Sequence, residues 1–376
     1  MPFFYNGSDL RDSYITQSDI NSMLAASGLW SWGMNHAGQL GLGDIANRSS
    51  PVQVGSLLTW NKVAAGQYHT VVTKTDGSLW SCGYNGYGQL GLGDRTNRNS
   101  PVQVGSLLTW NNVACGPSHT VATKTDGSLW TWGFNNNGQL GLGDIVDRSS
   151  PVQVGSLLTW NNIAGGSTHT MATKTDGSLW ACGYNAKGQL GLGNTTNRSS
   201  PVQVGSLLTW KNVACGSYYT VATKTDGSLW TCGYNNLGQL GLGDVTQRNS
   251  PVQVGSLLTW NKVTATITST VATKTDGSLW ACGYNGFGQL GLGDVTHRSS
   301  PVQVGSLLTW NNIACGYHTV ATKTDGSLWA WGRNNQGQLG LGDTANRNSP
   351  VQVGSLLTWN KVACHENHTI ATKTNY

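Results

Sequence analysis

One phrase recurs through this chain and limits what it can fold into. Gln-Leu-Gly-Leu-Gly begins at Gln39, Gln89, Gln139, Gln189, Gln239, Gln289 and Gln338, always inside a longer unit such as Gly83 to Asp94. The step is 50 residues except for the last, which is 49. A fixed period of that length marks a repeat architecture, in which each unit buries its apolar face only against its neighbours. It also overrides the usual reading of 376 residues as two or three domains.

Within one unit the turn and strand signals are dense. Asn61 to Ala65 reads as a short strand ended by Gly66. His69 to Lys74 reads as a second strand with alternating pattern. Thr75-Asp76-Gly77-Ser78 predicts a two-residue Asp-Gly hairpin into a third strand, Leu79 to Cys82. A Gly-rich connection then leads to Pro101-Val102-Gln103-Val104, a fourth strand whose proline places it outermost. Four antiparallel strands taken seven times predict an all-β, closed seven-bladed β-propeller. The ends predict how it closes. Leu29 to Trp32 and Pro51 to Val54 are third and fourth strands with no first or second before them. Lys361 to Ala363 and His368 to Thr372 are first and second strands with nothing after them. Together they complete one blade, which leaves no unpaired interior edge.

Residues 1–28 stand outside the repeats, and 29–376 form the propeller. Ser18-Asp19 ahead of Ile20, Met23 and Leu24 predicts a capped short helix to about Ala26. The leader reads equally as a cap over the repeat body or as an attachment to a larger assembly. It lacks the basic and apolar regions of a secretory signal, and no stretch approaches the roughly 20 apolar residues of a membrane span. A soluble chain is expected, cytoplasmic or associated with a virus particle. The net charge of +5 is spread evenly, whereas a nucleic-acid surface needs clustered Lys and Arg, so no nucleic-acid partner is expected.

The pattern His-Thr-Val-Ala-Thr-Lys-Thr-Asp-Gly-Ser-Leu-Trp, continued by Gly-x-Asn-x-x-Gly-Gln-Leu-Gly-Leu-Gly, resembles the regulator of chromosome condensation repeat. The resemblance covers residues 28 to 376. It implies the propeller but no single function, since the family includes Ran exchange factors, plant UV-B photoreceptors and a β-lactamase inhibitor. Where the photoreceptors carry a chromophore tryptophan, this chain has Gln67, Pro117, Ser167 and Ser217, which speaks against photoreception. The exchange factor's inserted β-wing has no counterpart in units of 50 or 49 residues, which speaks against exchange activity.

The seven copies differ in three places: after the first strand, around the Asn that follows the third, and between Asp and Arg further on. In an antiparallel blade the first and third strands run the same way, so all three places fall on one face. The Asp-Gly turns and Gly-Ser-Leu-Leu connections lie opposite and barely change. A diversified face on a rigid frame reads as a binding surface; drift of exposed loops after duplication is the plainer alternative. The candidate contact residues are Tyr84, Phe134, Tyr184, Tyr234 and Tyr284, with Tyr87 and Phe287 beside them, and Tyr68, Tyr218, Tyr317 and Arg333. Amphipathic aromatics suit protein epitopes and sugar faces, and serve equally as lids over the blade tops.

Other columns read as structural. His69, His119, His169, His318 and His368, broken by Tyr219 and Ser269, are expected to hydrogen-bond backbone within each blade rather than to hold a metal. Recurrent Asp/Arg pairs such as Asp94/Arg98 read as loop closures, because identical environments cannot split acid from base. Eight cysteines share columns with Trp, Ala and Gly, which predicts buried free thiols, with cross-column disulfides left open. Two Trp columns, starting at Trp60 and Trp80, read as core. No catalytic motif or cofactor site is apparent. The expectation is a non-enzymatic scaffold binding a protein or glycan, such as a phage adhesin. The alternative is an intracellular exchange factor or interaction scaffold.

Overall fold

The computed structural model describes residues 27–374; the helix expected over 18–26 lies outside them. The first strands are β1 (Ser27–Gly33) and β2 (Arg48–Gln53), followed by β3 (Trp60–Ala65), β4 (His69–Lys74), β5 (Leu79–Gly83) and β6 (Arg98–Gln103). Strands β7 to β26, from Trp110–Cys115 to Arg347–Gln352, repeat the β3–β6 set five times. The chain returns through β27 (Trp359–Cys364) and β28 (His368–Thr374). Each set is one antiparallel sheet in sequential order, and the seventh sheet runs β2-β1-β28-β27. The two ends therefore complete one blade, hereafter blade 1, with β3–β6 as blade 2 and so on to blade 7. Each inner strand packs against the next, and β27 packs on β3, closing the ring.

The core lies between blades. Val71, Leu79 and Val104 of blade 2 pack against Trp110, Ala122 and Trp132 of blade 3. Trp110 wedges in edge-on, its ring 5.8 Å from Trp132 and 6.0 Å from Trp130. A blade alone would leave these surfaces in water, so removing one such tryptophan costs about 3–5 kcal/mol.

Two local expectations are corrected. The fourth strand starts at Arg98, not Pro101. Arg98 pairs with Gly83 and Val102 with Ser81, and the ladder is interrupted between them because Pro101 has no N–H to give. The Asp-Gly turn is not a two-residue hairpin. Gly77 N–H donates to Lys74 O at 3.1 Å and Lys74 N–H to Ser78 O at 2.9 Å, so three residues form the loop. Only Gly77 has positive φ, at 81°, whereas the two-residue form needs it at Asp76 as well. Neighbour contact also requires glycine there: a Cβ on Gly77 would sit 2.2 Å from Leu108 O in the connection to blade 3.

Candidate binding face

The diversified face is built on one buried asparagine per blade. In blade 2, Asn85 Nδ2 donates to Asp94 Oδ1 and Asp94 O, both at 3.0 Å, and Asn85 Oδ1 accepts from Leu90 N–H at 2.9 Å. Gln89 Oε1 accepts from Tyr87 N–H at 3.0 Å. Asp94 then closes the loop by accepting from Thr96 N–H at 2.9 Å and Arg98 Nη2 at 2.6 Å. The Thr96 amide, followed by Arg98, holds its carboxyl below the usual range. The Asp/Arg pairs are loop closures, as expected. In blade 4, Asn194 stands in for the aspartate, and among the described residues Arg198 bonds only the carbonyls of Thr196 and Asn197.

The third variable place also carries structure. Asn97 Oδ1 accepts from Asn85 N–H at 2.9 Å, and His297 Nδ1 does the same for Asn285 at 3.1 Å.

Tyr84 N–H donates to Tyr68 O at 2.7 Å, which brings the loops after β3 and β5 together. The aromatics from these loops form separate clusters. Tyr84 meets Tyr87 at 6.2 Å, and Tyr87 crosses to Phe134 of blade 3 at 4.8 Å. Tyr184 meets Tyr218 of blade 5 at 5.9 Å, and Lys187 Nζ lies 5.3 Å from the Tyr234 ring. In the third cluster Tyr284 packs on Phe287 and His297, and Phe287 on Tyr317. The Arg333 guanidinium lies 5.2 Å from Phe287 and 5.3 Å from Tyr317. Tyr218 is exposed at 39%, while Tyr68 and the remaining aromatics are half-buried. Contiguous amphipathic area of this kind is what a recognition surface offers.

At the central mouth of the same face, Gln67 Nε2 donates to Glu366 Oε2 at 2.8 Å. Burial raises the Glu366 carboxyl, against the Gln67 bond and the Arg333 charge. Below the mouth the channel, about 280 Å³, is lined mainly by small residues such as Ala64, Ala114, Gly165 and Cys215. Among the described residues no group of three or more His, Cys, Asp or Glu could hold a metal.

The histidine column joins neighbouring blades instead of bonding backbone within one. His69 Nε2 lies 3.2 Å from Thr120 Oγ1, His119 3.0 Å from Thr170, and His318 2.7 Å from Thr369. Thr120 Oγ1 donates to Gln89 O at 2.9 Å, so its oxygen accepts from the histidine and fixes the Nε2–H tautomer. In blade 5 Tyr219 reaches across in the same way, donating to Ser269 O at 2.6 Å. Trp132 Nε1 donates to the same Gln89 O at 2.9 Å, and Cys82 Sγ lies 3.7 Å from Gln39 O. The eight cysteines are free, and burial pushes thiols such as Cys82 up to about 12.

Sequence reasoning missed the lysines. Lys74 Nζ stands 3.7 Å from the Trp80 ring and 5.0 Å from Trp60, and every blade repeats this cation between two tryptophans. The expected two-residue turn hid them: it would pair Lys74 with Leu79 and turn it away from Trp80, whereas the three-residue loop pairs Thr73 with Leu79 and sets Lys74 diagonal to Trp80 on one face.

The regulator of chromosome condensation (RCC1) repeat matches this chain seven times, over residues 27–73, 76–123, 126–173, 176–223, 226–272, 276–322 and 325–372. Among solved structures the chain is similar to human WBSCR16, with TM-score 0.84 and 22% identity over 93% of this chain and 100% of that one. It is similar to Prp20p from Saccharomyces cerevisiae, with TM-score 0.83 and 20% identity over 96% and 95%. At these identities the likeness speaks for the fold. No curated protein matches the sequence. Seven matched repeats span nearly the whole propeller, and the chain belongs to the regulator of chromosome condensation (RCC1) repeat family.

Proposed function

We propose that this propeller is a non-enzymatic binding scaffold that recognises a protein or glycan ligand through its diversified face. The observation that carries this reading is the set of aromatic clusters bridging blades 2 and 3, 4 and 5, and 6 and 7. Their side chains project from a backbone held by buried Asn85 and its equivalents, so the contact surface is set before a ligand arrives. Rigid aromatics lose little side-chain entropy on binding, which favours affinity. The carboxylates repeat in near-identical closures, which gives no division into acid and base. The setting we favour is the surface of a virus particle, with residues 1–28 as the attachment to a larger assembly.

A glycan and cell-surface binding screen tests this, comparing the intact protein with a variant carrying Ala at Tyr84, Tyr184, Tyr234 and Tyr284. Binding by the intact protein and its loss in the folded variant is the expected result. Unchanged binding would reduce the clusters to lids, and no binding by the intact protein would leave a protein partner as the ligand class.

The second reading, an intracellular exchange factor or interaction scaffold, rests on the fold shared with Prp20p, whose structure was described with its binding to Gsp1p and histones. Faster nucleotide release from a GTPase on addition of this chain would favour it.

A further inference from the structure

Between neighbouring blades, on the outer rim, the lysine–tryptophan arrangement opens into a recess. Three of these recesses, at Trp110, Trp210 and Trp260, have equivalent walls: a Leu-Gly segment and the end of the outer strand from one blade, two tryptophans, a lysine and a proline from the next. In the recess between blades 4 and 5, Lys224 is 6% exposed and its ammonium stands 3.6 Å from the Trp230 ring and 4.8 Å from Trp210. No hydrogen-bond acceptor meets that ammonium among the described residues. The nearby Asp226 carboxylate accepts instead from Ser228, through Oγ at 2.6 Å and N–H at 2.9 Å. A cation held by two aromatic faces in the wall of a recess is arranged to receive an anion.

This recess differs from the other two in size and in reach. It measures about 450 Å³ against about 310 and 330 Å³, and it extends to Asn194 and Arg198. In the blades around it Arg148 and Arg248 are each bonded to an aspartate at 2.5 Å. Arg198 has Asn194 in that place and forms no ion pair among the described residues, so its guanidinium keeps its charge at the rim of this recess. The apolar walls include Leu207, which is 50% exposed.

We propose that the recess between blades 4 and 5 binds a carboxylate carried on an apolar body. Lys224 receives the carboxylate, Arg198 adds a second positive charge, and Trp210, Trp230 and Leu207 cover the apolar part. Such a group comes either from a small free acid or from an acidic side chain in an apolar protein segment. The site lies away from the clusters of the diversified face and stands independently of the function proposed for them.

Octanoate is the probe, followed by calorimetry and by tryptophan fluorescence on the full chain, with octanol as the neutral control. The expected result is one tightest site for octanoate, weaker binding at raised salt, and no comparable site for octanol. Lys224→Met should weaken that site at least tenfold, and Asn194→Asp several-fold by pairing Arg198. Lys274→Met, in a recess beside the paired Arg248, should leave it unchanged. A peptide alternating Leu and Glu separates the sources: tighter binding than octanoate at the same site points to a protein segment, weaker binding to a free acid. Equal binding of octanol, no saturable octanoate binding, or wild-type affinity in Lys224→Met would overturn the proposal. Should Lys224→Met not fold, wild-type affinity in Asn194→Asp overturns it alone. The four-tyrosine variant should bind octanoate normally, which keeps this result separate from the fate of the diversified face.

Discussion

The two faces of the propeller keep their backbones in register by different means. On the fixed face the Asp-Gly turn meets the next blade through Gly77, while the Gly-Ser-Leu-Leu connections stay exposed. Gly77 O accepts from Trp110 N–H of the next blade at 3.0 Å, and the Cα of Gly77 leaves no room for a side chain beside Leu108. On the diversified face buried positions and positions that reach solvent are interspersed. Asn85 and Gln89 are fully buried, while Tyr84, Gly86 and Tyr87 beside them reach solvent. The sameness of the Asp-Gly turn thus has a structural cause at Gly77, and nothing in the structure explains that of the exposed Gly-Ser-Leu-Leu connections. Variation is permitted where side chains leave the blade contact, and it is the bridging aromatics, more than the contrast between faces, on which the proposed recognition surface rests.

The largest expected effect tests the fixed face. Gly77→Ala combines positive φ with a backbone clash and should cost about 3–4 kcal/mol. Gly105→Ala, at φ 62° with nothing within 4 Å, should cost only about 1 kcal/mol. Thermal denaturation of the two side by side checks this; equal losses would remove the interblade explanation for the invariant turn.

On the other face, Asn85→Ala strips a fully buried hub of its hydrogen bonds and should cost about 3 kcal/mol, whereas Tyr84→Ala should cost about 1 kcal/mol. Comparable losses at the two positions would show that Tyr84 belongs to the frame.

The histidine zipper gives a pH dependence. Burial lowers His119 from its ordinary 6.5 to about 4 and His69 to about 3, so the unfolded chain takes up protons first. Stability should be full above pH 6.5 and fall as pH drops towards 4. His119→Gln should flatten that slope in melting curves recorded across the range. A slope unchanged in the variant would mean other groups carry it.

The smallest effect is a gain. Asn194→Asp should restore the loop closure with Arg198 and add roughly 0.5 kcal/mol, an increment that shrinks at high salt. A loss instead would show that the open guanidinium is a structural requirement of blade 4.

The period, the Asp-Gly turns, the proline of the outer strand and the offset between chain ends determined the blades, their number and their closure. These are local or strictly periodic signals, and a repeat multiplies each of them seven times. The aromatics could be located from the sequence because variation among internal copies singles them out. Their grouping across blades could not, nor could the bond from His69 to Thr120 or the seat of Lys224 beside a recess that reaches Arg198. Each of those joins residues from different strands or blades, some about 50 positions apart, and its geometry follows from the twist and spacing of packed sheets. The sequence states which side chains each unit offers; the packing of one blade on the next decides which of them meet.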